Sequence, residues 1–122
     1  MIIDEDLHSF IQSSIKSVWM LEMLLYLRRN SHRSWGPDEL VRELRGSESV
    51  VSQGATGLLE AGLIAVDGDR LQYAPSAPLL DLLAAKLETI YAQKPSSVIR
   101  AIHSAPGDKL QTFSDAFKLR RD

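Results

Sequence analysis

The sequence predicts one mainly α-helical domain with a small β-hairpin. Apolar residues recur at intervals of three and four over most of the chain, as they do on the buried faces of helices. One Asp-Gly pair, Asp67-Gly68, stands between two short β-prone runs, which is a strong hairpin signal. The chain has 122 residues, of which 44% are hydrophobic and 25% charged, as in ordinary globular domains. We therefore expect a single domain over residues 1–122.

Residues 4–29 are expected to form one long helix or two abutting helices. Three acidic residues, 4–6, favour a helix start, and Arg28-Arg29 favours a helix end, as the helix dipole requires. Residues 18–27 are apolar nearly all round, which indicates a central, buried helix. This longest apolar run is interrupted by Glu22 and is shorter than the roughly 20 residues of a membrane span.

Two shorter helices follow, and their ends are marked by the local sequence. Pro37 suits the first turn of a helix that Gly46 is expected to end. Ser47 or Ser49 can cap the next helix, which is expected to stop before Gly62.

The second half of the chain continues with the hairpin and further helices. Residues 79–93 form a strongly amphipathic pattern, and a short helix capped by Ser96 or Ser97 comes next. A last helix is expected over residues 108–119, with Leu110, Phe113 and Phe117 at helical spacing. We therefore predict a C-terminal helical extension over residues 96–119.

The order of elements from about Ser14 to Tyr91 is helix, short extended "RSW", helix, helix, hairpin, helix. Together with the run "SVVSQGATGLLEAGLI" before the hairpin, this order resembles the winged helix-turn-helix fold of bacterial transcriptional regulators, notably the MarR-like and related groups. The resemblance implies a winged helix-turn-helix core over residues 14–91, with additional N- and C-terminal helices. It also implies a regulator that binds double-stranded DNA.

The resemblance assigns DNA contacts to the third helix of this core and to nearby arginines. In such regulators the helix enters the major groove, where short polar side chains contact base edges. The outward side chains that would do so here are Ser49, Ser52, Gln53 and Thr56. The phosphates would be held by Arg42, Arg45 and Arg70.

The charge of this region favours a different class of function. The chain has 14 Lys and Arg against 16 Asp and Glu, for a net charge of -2, whereas DNA-binding domains usually lean basic. Residues 46–69 hold four carboxylates and no lysine or arginine, and the expected hairpin tip reads Asp-Gly-Asp. The alternative is a winged-helix domain repurposed as a protein–protein interaction module without DNA binding.

A stripe of small residues on the third helix also favours a protein partner. Val50, Gly54 and Gly57 share one face, and each glycine costs about 1 kcal/mol against alanine inside a helix. A smooth stripe lets another backbone approach closely, so we expect a partner interface there. The other interpretation is that the glycines make room for neighbouring elements of the same domain.

Six basic or potentially basic groups between Arg28 and Arg45 are candidates for a phosphate-binding patch. They are Arg28, Arg29, His32, Arg33, Arg42 and Arg45. The competing interpretation is a solvated face with local pairs of Arg42 with Asp38 or Glu39.

The outer helices carry more apolar surface than a minimal winged domain requires, and related regulators commonly dimerise through such helices. We therefore expect a homodimer whose interface includes Leu7, Phe10, Phe113 and Phe117. The alternative is that both termini pack within the chain as a cap.

No constellation of catalytic or metal-ligating residues is found in the sequence. There is no cysteine, and the histidines lie far apart, without metal-ligand spacing. Glu22, in an apolar run, is expected to be structural rather than catalytic. We therefore expect no enzymatic activity, no cofactor and no metal. The acidic start is unlike a secretory signal, so a cytoplasmic, non-membrane protein is expected.

Overall fold

A computed structural model describes residues 5–103 of the chain. Within that range the protein is mainly helical with one small antiparallel hairpin, which confirms this part of the fold prediction. The helices are α1 (Glu5–Ser14), α2 (Val18–Arg29), α3 (Pro37–Leu44), α4 (Glu48–Glu60), α5 (Pro78–Gln93) and α6 (Pro95–His103), and the strands are β1 (Ile64–Asp67) and β2 (Arg70–Tyr73). No helix within the described range has both the length and the apolar character that crossing a membrane requires.

Helix α2 lies at the centre of the fold, and a break at residues 15–17 separates it from α1. The hydroxyl of Ser17 accepts a hydrogen bond from the backbone N–H of Met20 at 3.1 Å. Ser17 has extended backbone angles and caps α2, so the chain forms two abutting helices rather than one. Helix α2 packs against α3, α4 and β2, and half of its residues are buried.

A tight connection joins α3 to α4. Arg45, rather than Gly46, takes the left-handed conformation after α3, with a φ of 56°. Gly46 packs beside Trp19, and a Cβ there would lie 3.4 Å from a ring atom of that side chain. Ser47 then caps α4 by accepting a hydrogen bond from the N–H of Val50 at 3.2 Å.

The hairpin follows α4, and a backbone pairing with Trp35 holds it to the core. Asp67 pairs with Arg70 across a turn in which Gly68 has a φ of +66°, as the Asp-Gly pair predicts. Trp35 and Leu71 exchange two backbone hydrogen bonds of 2.7 and 2.8 Å. Both of these side chains are buried, so they fix the hairpin against the helices.

Helix α1 packs on α5 and α6 and completes the core. Leu7 and Phe10 are only 1% and 5% exposed, because the chain's own helices cover them. Their assignment to a dimer interface is therefore corrected: they serve as an intramolecular cap. Helix α6, the first part of the expected extension, begins at Pro95 and packs on α5. The predictions for Phe113 and Phe117 lie outside the described residues.

Candidate macromolecular interface

One face of α4 presents the polar side chains that the sequence predicts for recognition. Ser49, Ser52, Gln53 and Thr56 are all exposed. The amide of Gln53 donates a hydrogen bond to the hydroxyl of Ser49 at 3.2 Å, so these two side chains already contact each other. The structure thus brings the four predicted residues together on one surface that is open to a large partner.

Beside these residues lies an apolar cleft between the start of α3, the outer face of α4 and the hairpin. Its volume is about 400 Å³. It is lined by Pro37, Asp38, Glu48, Val51, Ser52, Ala55, Thr56, Leu59, Val66, Asp69 and Leu71. Two large apolar side chains, Leu59 on α4 and Val66 on β1, are 48% and 41% exposed there. Exposed apolar groups gathered in one concave surface mark an interaction site more strongly than scattered ones. We call this surface the α4–hairpin cleft.

The ionised groups of the α4–hairpin cleft are all acidic. Asp38, Glu48 and Asp69 line it, and all three side chains are exposed. Among the described side chains that line the cleft, none belongs to lysine or arginine. Two of the four carboxylates of residues 46–69, Glu48 and Asp69, therefore lie beside apolar surface.

Arg70, one of the three predicted phosphate ligands, is turned towards the chain itself. Its Nε donates to the hydroxyl of Ser34 at 3.0 Å, and one terminal nitrogen donates to the carbonyl of Ser34 at 2.9 Å. The same nitrogen forms an ion pair with Glu39 at 3.2 Å. The charge of Arg70 is therefore partly compensated before any partner arrives.

Glu39 binds both Arg33 and Arg70. It accepts a hydrogen bond from the backbone N–H of Gly36 at 2.8 Å and pairs with Arg33 at 2.8 Å. These contacts lower the pKa of the Glu39 carboxyl to about 2. The hydrogen bond from the Gly36 N–H contributes most, and the hydrogen bond from Arg33 comes next. Glu39 is thus an ionised carboxylate at any physiological pH, and it holds the arginines that surround it.

Three of the six groups of the predicted basic patch are engaged in such intramolecular pairs. Arg28 and Arg29 both form ion pairs with Glu88 on α5. Arg33 also lies over the ring of Trp35, with its guanidinium carbon 3.9 Å from the ring centroid, which is a cation–π contact.

Arg42 and Arg45 differ from the other arginines of the predicted patch. Both are exposed, and within residues 5–103 neither forms a hydrogen bond or ion pair through its side chain. The local pairs of Arg42 with Asp38 or Glu39, which the competing interpretation of the patch includes, are not formed, and Glu39 binds Arg33 and Arg70 instead. Within the predicted patch, these two guanidinium groups are available for a phosphate.

The glycine stripe of α4 faces α2. A Cβ on Gly54 would lie 2.9 Å from the sulfur of Met23, and a Cβ on Gly57 would lie 2.8 Å from the methyl group of Met20. Both distances are shorter than real contacts, so the glycines make room for α2 of the same domain. A shallow groove does remain beside them, between α4 and the α1–α2 junction, and Val50 lines it. A partner at this groove stays a prediction, but the glycines are explained without one.

Glu22 has a structural partner. The hydroxyl of Tyr91 on α5 donates to its carboxylate at 2.7 Å, and this bond is the largest cause that raises the pKa of Tyr91 to about 12. Within residues 5–103, no group of three His, Cys, Asp or Glu side chains is placed to hold a metal ion. Neither finding adds a catalytic feature to the described part of the chain.

In comparisons with known proteins, no family model, curated protein or solved structure matches the chain. The fold and the surface geometry therefore carry the functional argument.

Sequence reasoning missed Leu59 and Val66. The polar outward face of α4 includes Ser52 and Thr56. Leu59 comes three residues after Thr56 and shares that face, so an apolar residue stands among polar ones. That break in polarity was a visible signal for Leu59. Val66 had no comparable signal, because the twist and position of the hairpin decide which strand face meets α4.

Proposed function

We propose that the chain is a winged helix-turn-helix domain. Three features support this proposal: the order α2–α3–α4–hairpin, the short connection between α3 and α4, and the backbone pairing of Trp35 with Leu71. The pairing is a single β-bridge beside the two-stranded hairpin, and it falls between the first two helices of such a core. Helix α4 is then the recognition helix and the hairpin is the wing.

We further propose that the recognition face of this domain binds a protein rather than DNA. The observation that carries the proposal is the α4–hairpin cleft, which combines exposed apolar side chains with three carboxylates. Phosphate neutralisation supplies much of the affinity of DNA-binding domains, and carboxylates at the same place oppose it. Apolar surface, by contrast, contributes most when a partner of similar polarity covers it.

Site-specific photocrosslinking in cells that express the chain tests this proposal. A benzophenone amino acid replaces Leu59 in the cleft, and in a matched control it replaces Leu82 on α5, which is 54% exposed. We expect discrete protein adducts from position 59 that do not form from position 82. Nucleic-acid adducts from position 59, or identical adducts from both positions, would contradict a protein-binding recognition face.

Sequence-specific DNA binding is the second candidate, and two observations favour it. The four polar side chains of α4 lie together on an exposed face, and Arg42 and Arg45 have free guanidinium groups near its start. Under this hypothesis, Arg45→Ala weakens binding to all duplexes and flattens the salt slope by about one unit. Gln53→Ala changes the preference at one base position. Selection from randomised duplexes at low ionic strength measures the base preference, and duplex affinity over a range of salt concentrations measures the slope. Recovery of no motif contradicts the hypothesis.

The predicted homodimer requires different contacts from those proposed at the N-terminus. Leu7 and Phe10 are already covered, so Leu79 at the start of α5, which is 61% exposed, becomes the candidate within residues 5–103. Sedimentation velocity on the full chain distinguishes a dimer from a monomer. A change of Leu79 to Asp that converts dimer into monomer would locate the contact on α5.

A further inference from the structure

We infer that the partner of the α4–hairpin cleft is a peptide segment that places apolar side chains next to lysine or arginine. This inference rests on the proposed protein-binding function and adds the chemistry of the partner. Three observations support it. The cleft has an apolar lining, carboxylates also line it, and no lysine or arginine is found among the described lining residues.

The apolar part of the cleft determines how much of a partner enters. Among its lining side chains, Val51 and Leu71 are buried, whereas Leu59 on α4 and Val66 on β1 are exposed. A volume of about 400 Å³ has room for a few side chains and not for a folded element. The geometry therefore fits two or three apolar anchors that project from one short segment.

The rim determines the charge of that segment. Asp38, Glu48 and Asp69 come from α3, α4 and the hairpin, so carboxylates surround the apolar centre from three elements. Glu60 and Asp67 are also exposed, at the end of α4 and on β1. Opposite charge on the partner speeds association and opposes wrong partners, whereas an acidic segment would be repelled.

The arginine next to Asp69 in the chain is engaged elsewhere. The guanidinium of Arg70 bonds to Ser34 and pairs with Glu39. Asp38, Glu48 and Asp69 take part in no ion pair within residues 5–103. Their charge is available to a partner. Asp38 and Glu48 lie in the first turns of α3 and α4, near the positive ends of the helix dipoles, and neither forms an ion pair with a side chain there.

Selection of random 12-residue peptides displayed on phage tests the inference. The full chain is the target, and Leu59→Asp and Leu82→Asp serve as the cleft variant and the matched surface control. We expect enriched peptides that combine leucine, isoleucine or phenylalanine with lysine or arginine. Binding of a synthetic enriched peptide, measured by fluorescence anisotropy, should weaken at least about tenfold on Leu59→Asp and less than about twofold on Leu82→Asp.

A rim variant separates charge from apolar contact. Asp38→Asn combined with Asp69→Asn keeps the shape of both side chains and removes two charges. We expect about tenfold weaker binding at low salt and a smaller decrease between low and physiological salt than in the unchanged chain. Circular dichroism of each variant checks that the domain remains folded, and Thr56→Lys at an exposed cleft position provides a second, independent disruption.

The outcomes distinguish failure of this inference from failure of the proposed function. Enriched neutral or acidic peptides that still require Leu59 would overturn the basic partner and leave protein binding in place. Peptides that bind Leu59→Asp and Thr56→Lys as tightly as the unchanged chain would overturn both. Binding only by segments of this same chain, displayed as peptides, would overturn a foreign partner and assign the cleft to self-association.

Discussion

Replacement of two adjacent leucines of α4 separates the residue that holds the domain together from the residue that is offered to a partner. Leu58 is 0% exposed and belongs to the core cluster, whereas Leu59 is 48% exposed and lines the cleft. We expect Leu58→Ala to destabilise the domain strongly and Leu59→Ala to destabilise it little.

The expected magnitudes follow from burial. A change of Leu to Ala removes roughly three buried carbons, at about 0.8 kcal/mol each, so the transfer of Leu58 alone is worth about 2.4 kcal/mol. The cavity that remains adds to this, which places the expected loss of unfolding free energy at about 3–4 kcal/mol. Leu59 is half exposed and leaves an open surface instead of a cavity. Its replacement should therefore cost about 1 kcal/mol.

Urea denaturation followed by circular dichroism measures both values. The midpoints are compared at equal slope, because a changed slope would indicate an altered denatured state. Equal losses for the two variants would refute the assignment of Leu58 to the inner face and Leu59 to the outer face. If Leu59→Ala is stable and also loses the cleft-binding peptide, the leucine is retained for binding.

Three further predictions concern local structure. Gly62→Ala should destabilise the domain by about 1–2 kcal/mol in urea, since Gly62 has a φ of +77° and its space is occupied, and Gly68→Ala, in open space, should cost less. The lowered pKa of Glu39 stabilises the fold above pH 4.5, and that stability is lost as the pH falls towards 2. Glu39→Gln should therefore flatten unfolding free energy against pH in this window. Absorbance titration should find Tyr91 ionising near pH 12, and Glu22→Gln should bring its pKa closer to 10.

Local patterns predicted the elements well. The Asp67-Gly68 turn, the Pro37 start of α3 and the Ser47 cap of α4 depend on neighbouring residues, and the structure has all three. One exception is the end of α3, where Arg45 takes the positive φ expected of Gly46. Gly46 instead packs beside Trp19, a residue from another helix.

The candidate site was predicted only in part, because its charges depend on distant partners. Ser52 and Thr56 are exposed as expected, since helical periodicity alone places them outward. The ion pair of Arg70 with Glu39 joins residues 31 positions apart in the sequence. No local pattern contains that pair, so the predicted phosphate ligand could not be recognised as occupied.

The sequence by itself determined the helices, the hairpin and the acidic character of residues 46–69, because these depend on periodicity, turn chemistry and composition. The tertiary structure decided which surfaces remain available. It buried Leu7 and Phe10 under α5 and α6, filled the space beside the glycines with methionines of α2, and paired Glu39 with two arginines. It also joined Leu59 and Val66 into one cleft. These outcomes follow from contacts between elements, which the order of residues along a helix or strand does not contain.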